Sequence, residues 1–175
     1  MSIVLGVDPV TLHPRVDLFA AGQRLQELGQ LRSLSGIVER AELLVLVGRP
    51  DEAWDAANEA VRLARFTGDR KQALEARILR GRVRYALVQM DDAVIELSGC
   101  VDEANGHDWT ELELEATSAR ALVHFDRGDD ELALSDFTAT VFLRQKLGVG
   151  ADELAGSLHA VAVVEARLAE ARNTL

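Results

Sequence analysis

Gly48-Arg49-Pro50-Asp51-Glu52-Ala53 returns in altered form at Val88-Gln89-Met90-Asp91-Asp92-Ala93 and again at Gly128-Asp129-Asp130-Glu131-Leu132-Ala133, forty residues apart each time. Each version reads as a tight turn that opens a helix. Proline is tolerated in a first helical turn, where its missing N–H has no partner to lose. The acids that follow sit at the positive end of the helix dipole, worth about 0.3–1 kcal/mol each, so they need no catalytic role. The closing alanine is small enough for two helices to press together. The stretch therefore predicts a helical hairpin, and its recurrence predicts a series of them.

Working outward, a forty-residue slide of the chain on itself fills further columns. Leu34, Leu74, Leu114 and Leu154 share one; Gly36, Ala76, Ala116 and Gly156 a second; Leu43, Val83, Val123 and Val163 a third. Beyond the turn, Val61, Val101 and Val141 align. Small residues at fixed positions are what close helix contacts require, because bulk would push the axes beyond the roughly 8–10 Å of ordinary packing. Such a hairpin cannot bury its apolar surface alone, which is the physical reason for an array. The reading gives an extended lead over 1–13 and a single helical-repeat domain over 14–175. That domain comprises a leading helix over 14–30 that starts at Pro14, hairpins over 31–68, 69–107 and 108–148, and a terminal helix over 151–173.

Composition agrees. With 48% hydrophobic and 5% aromatic residues and three prolines in 175, the chain can bury a core and is expected to be all-α. A net charge of −10 works against a nucleic-acid or anionic-membrane partner. Cys100 stands alone, which excludes an intramolecular disulfide and a cysteine-built metal site. The start of the chain lacks the basic residues and apolar run of a signal peptide. No run approaches the roughly eighteen apolar residues of a membrane helix, so a cytoplasmic location is expected.

A small residue midway along the first helix of each hairpin, a glycine at its end and alanines along the second helix form a recognisable set. Ala41, Gly48, Ala53 and Ala60 supply it first, then Gly81, Ala93 and Cys100, then Ala121, Gly128, Ala133, Phe137 and Thr140. In this respect residues 31–170 resemble the tetratricopeptide repeat. The forty-residue period is similar to the lengthened variants of kinesin light chains and of bacterial signalling and transcription regulators. The segment from Gly81 to Leu87 is similar to helices of the latter. The resemblance implies a right-handed α-solenoid with first helices lining a concave groove. It also implies a non-catalytic protein or peptide interaction module, here a sensory or scaffold domain of such a regulator, with no cofactor. Two departures stand out: Val88 replaces the turn glycine, and Arg40, Arg80 and Arg120 fill a column where the family has an apolar residue.

That arginine column suggests a site. Arg77, Arg80 and Arg84 lie on one helical stripe, and the equivalent stripe of the third hairpin holds Thr117, Arg120 and His124. Converging guanidinium groups suit a carboxylate, phosphate or acidic peptide, which makes a stand-alone sensor of an acidic peptide or small anion the alternative function. The competing reading pairs these arginines with Glu39, Glu42, Glu75, Glu113 or Glu115 on neighbouring helices. Tyr85 and Phe125 share a column and are either core or groove lining.

No two of His13, His107, His124 and His159 stand at helical i, i+3 or i, i+4 spacing, and no nucleophile, base and orienting group occur together, so neither a metal site nor an enzyme is expected. On the terminal helix Val161, Val164 and Leu168 form a short apolar seam. It either caps the array, pairs in a homodimer, or leads into an output domain; exposed repeat ends are a second route to a dimer.

Overall fold

The computed structural model describes residues 2–29 and 31–173. Among these, eight helices follow a short β-hairpin: β1 (Val4–Val7), β2 (Pro14–Val16), α1 (Leu18–Leu28), α2 (Leu34–Leu46), α3 (Pro50–Thr67), α4 (Arg70–Ala86), α5 (Met90–Gly106), α6 (Thr110–Arg127), α7 (Asp130–Leu147) and α8 (Ala151–Asn173). The chain is thus mostly helical, and consecutive helices pack on one another: α1 on α2, α2 on α3, α3 on α4, α6 on α7 and α7 on α8. No helix among the described residues is long and apolar enough to cross a membrane.

The helix ends have local causes. Asp17 accepts hydrogen bonds from the Phe19 and Ala20 amides, Ser33 from Gly36, and Asp69 from Lys71 and Gln72, each meeting N–H groups that the first turn leaves without partners. Asp17 also explains why the leading helix starts four residues later than Pro14. Pro14 pairs with Val7 in the hairpin, and the helix begins where a side chain can cap it.

The three forty-spaced turns share one hydrogen-bond scheme. Arg49 donates to Leu44, Gln89 to Arg84, and Asp129 to His124, at 2.8–2.9 Å. The preceding residue is left-handed in all three, with φ of 75° at Gly48, 61° at Val88 and 78° at Gly128. Val88 therefore occupies a glycine's backbone conformation, with its β-branched side chain exposed. The turns between hairpins also carry a left-handed residue, at Gly68, Asp108 and Gly148, with φ of 74°, 56° and 68°.

Two compact units emerge: residues 1–7 with 13–93, and residues 8–12 with 94–175. In the first, Ala53, Ala56, Ala57, Ala60 and Ala64 of α3 are buried against Ile37, Ala41 and Leu44 of α2 and Leu79 and Val83 of α4. A smaller cluster of Ala21, Leu28 and Leu43 holds α1 on α2, with Ile3 and Val16 of the β-hairpin against it. In the second unit, Ala121, Phe125, Ala133, Phe137, Ala160 and Val164 form the core of α6, α7 and α8.

Candidate functional site

Two members of the arginine column, Arg40 and Arg120, turn toward the second helix of their own hairpin. Arg40 of α2 reaches Glu59 of α3 at 3.9 Å, beside a recess of about 240 Å³ lined by Leu31, Arg32, Arg40 and Glu59. Arg120 of α6 grips Asp136 of α7 with two hydrogen bonds, Nε to Oδ2 at 2.8 Å and Nη2 to Oδ1 at 2.7 Å, while Nη1 donates to Ser98 at 3.0 Å. Asp136 is buried and Arg120 largely so. The paired carboxylate raises the guanidinium's already high pKa. Arg84 donates to Asp92 at 2.9 Å and lies 4.9 Å over the Trp54 ring. The carboxylates that Arg40, Arg84 and Arg120 reach, Glu59, Asp92 and Asp136, lie on the second helix of each hairpin. Arg77 and Arg80 are half-buried on α4 and also engaged.

His124 and Phe125, read as binding residues, are core residues of the second unit. His124 is 7% exposed, with Nε2 3.9 Å from Asp136 and Nδ1 3.7 Å from Asp129. Phe125 meets Phe137 edge-on at 6.4 Å, and the Arg167 guanidinium stacks on it at 4.3 Å. Tyr85 is half-buried in the first unit, its hydroxyl 3.4 Å from His13 Nε2 with the two rings stacked. The seam of α8 is used inside the second unit: Val164 is fully buried, and Val161 and Leu168 pack on the same cluster. Arg167 and Arg144, which sequence reading did not single out, fasten α8. The first reaches Asp130 at 3.2 Å and the second donates to Ser157 at 2.6 Å.

An open groove lies elsewhere, between α2 and α4. It has a volume of about 500 Å³ and is lined by Leu34, Ser35, Val38, Glu39, Glu42, Gln72 and Glu75. Two of its carboxylates have partners. Glu39 accepts from Arg24 at 2.6 and 3.0 Å, and those hydrogen bonds hold its carboxyl below the usual range. Glu42 receives Arg82 at 3.2 Å. Glu75 has no hydrogen-bond or ion-pair partner among the described residues. Burial and then Asp69 push its carboxyl up, against a smaller opposing effect of Lys71. An incoming cation would favour the charged form that this environment disfavours. The groove thus combines two apolar side chains, Leu34 and Val38, with the Glu75 carboxylate.

A second apolar recess, in the other unit, is already filled. Leu12 is buried in the α6–α7–α8 cluster, and the exposed His159 of α8 donates from Nε2 to the Pro9 carbonyl at 2.8 Å. Leu12 has φ of 60°, left-handed without being glycine. Burying a leucine contributes about 1.5–3 kcal/mol, and a strained left-handed residue costs on the order of 1–3 kcal/mol, so the strain offsets part of the gain from burial.

Among the described residues no group of three or more histidine, cysteine or acidic side chains is arranged to hold a metal ion. Cys100 is buried. Neither the protein-family models nor the curated proteins contain a match to this chain.

Proposed function

We propose that the protein is a non-catalytic peptide-interaction module built of tetratricopeptide-like hairpins in a right-handed solenoid. It serves as a sensory or scaffold element of a bacterial signalling or transcription regulator in the cytoplasm. Its peptide site is the groove between α2 and α4, and its ligand is a peptide with an apolar side chain next to a lysine or arginine. The observation that carries this reading is the groove's chemistry: Leu34 and Val38 accept the apolar side chain and Glu75 the cation. Arg120 does not favour an acidic ligand, because it is already bound to the buried Asp136, and displacing a buried carboxylate leaves it without its partner.

Calorimetric titration of a leucine–lysine peptide against its leucine–glutamate counterpart tests the proposal. The basic peptide should bind, and Glu75→Gln should weaken it about tenfold, equivalent to about 1.4 kcal/mol. Preference for the acidic peptide, lost in Arg80→Ala, would favour the arginine stripe instead.

A further inference from the structure

We propose that the recess lined by Leu31, Arg32, Arg40 and Glu59 is a binding site for the carboxylate of a small organic acid. It lies where the connector between α1 and α2 meets α2 and α3. It shares no residue with the α2–α4 groove and does not depend on the reading of that groove.

The chain's own arginines indicate the ligand chemistry. In three places the Nε and Nη2 of an arginine close on the two oxygens of one carboxylate: Arg24 on Glu39, Arg49 on Glu52 and Arg120 on Asp136. The planar fork of a guanidinium matches that pair of oxygens. The recess holds two such forks, and neither is closed. Arg40 stands 3.9 Å from Glu59, too far for a hydrogen bond, and Arg32 has no hydrogen-bond or ion-pair partner among the described residues. Two guanidinium groups thus face one carboxylate, and a second, singly charged carboxylate completes the balance.

The site is also prepared for a ligand. Leu31 donates its amide to the Leu28 carbonyl at 3.1 Å and lies over Gly36, where an added Cβ would come within 2.8 Å of the Leu31 Cβ. Ser33 accepts from the Gly36 amide at 3.2 Å and caps α2. The residues on both sides of Arg32 are therefore anchored, which lowers the entropy lost when a ligand orders its side chain. The recess, about 240 Å³ against about 500 Å³ for the groove, suits a small acid better than a length of peptide.

Nitrogen-15 NMR titration of the full chain with sodium acetate, at an ionic strength held constant with sodium chloride, tests the proposal. Acetate should give saturating shift changes at the amides of Leu31, Arg32 and Arg40. Arg32→Ala, at an exposed position, should weaken binding about tenfold, as expected of charge-assisted hydrogen bonds. Glu59→Gln removes the carboxylate that competes for Arg40 and should tighten it. Shifts that do not saturate, or that chloride alone reproduces, overturn the proposal, and so does a Glu59→Gln chain that binds acetate no better. N-acetyl-tetraalanine, which carries the same carboxylate on a chain, should bind no more tightly than acetate; tighter binding in this recess overturns the assignment to a small acid. Glu75→Gln should leave every result unchanged, which separates this site from the α2–α4 groove.

Discussion

A shift of eighty residues carries α2 onto α6 and α4 onto α8, yet the two pairs differ in what lies against them. Against α2 and α4 there is an open groove whose Glu75 carboxylate has no hydrogen-bond or ion-pair partner among the described residues. Against α6 and α8 lies the chain's own loop, its leucine buried among aromatic rings. The framework differs as well. The arginine on α2 meets a half-buried glutamate at 3.9 Å, whereas its counterpart on α6 makes a two-point bond to a buried aspartate. Register fixes where helices and turns fall, and a few side chains decide whether a face is rigid and filled or open and charged.

The largest effect expected from breaking this contrast comes from the two ion pairs. Asp136→Ala leaves Arg120 largely buried without its partner and should cost about 3–5 kcal/mol in urea unfolding followed by circular dichroism. Glu59→Ala, at the matching place in the first unit, should cost less than about 1 kcal/mol, because that pair is long and solvated. Equal losses would show that the two hairpins are held alike.

Next in size are two glycines of one column. A Cβ on Gly36 would lie 2.8 Å from Leu31 Cβ and 3.1 Å from Ser33 Oγ, so Gly36→Ala should destabilise by about 1–3 kcal/mol. A Cβ on Gly156 meets nothing within 4 Å, so Gly156→Ala should instead stabilise α8 by about 0.5–1 kcal/mol. Thermal melts of the two variants should move in opposite directions.

The turn column offers a similar contrast. Val88→Gly relieves a β-branched residue at φ of 61° and should raise stability by roughly 1 kcal/mol, while Gly128→Ala forces a side chain into φ of 78° and should lower it by roughly as much.

Smallest are the titrations of the open groove. Glu39 has a lowered carboxyl, so its contribution to stability is present above the unfolded carboxylate pKa and is lost as pH falls through the folded value. Glu75 is raised, so its contribution is present below the unfolded value and is lost as pH rises through the folded one. At pH 7, Glu39→Gln should lower the melting temperature slightly and Glu75→Gln raise it slightly, and both differences should fade in acid. A fall in melting temperature for Glu75→Gln would mean that the carboxylate has a stabilising partner.

The turns were legible in the sequence because a left-handed residue and a helix start demand particular side chains. Even Val88 was placed correctly by its column, though not by its chemistry. The arginine column was legible as a column, but not in its direction: forty-residue spacing aligns residues without giving the rotation of the helix, and Asp136 and Glu59 lie on second helices that spacing alone did not connect to it. The open groove could have been found from Glu39, Glu42 and Glu75, which were read only as partners for arginines. The seating of Leu12 had no signal, since a lone leucine in a non-periodic segment does not show which distant helices will cover it. Val161, Val164 and Leu168 were legible as a seam, and the structure shows that seam covered by α6 and α7.

The most direct test of the central claim is a nitrogen-15 NMR titration of the full chain with a leucine–lysine peptide. The account predicts shift changes concentrated at Leu34, Val38, Glu42, Gln72 and Glu75, reduced in Glu75→Gln and absent with the leucine–glutamate peptide. Changes centred on Arg77, Arg80 and Arg84, produced by the acidic peptide instead, would contradict it.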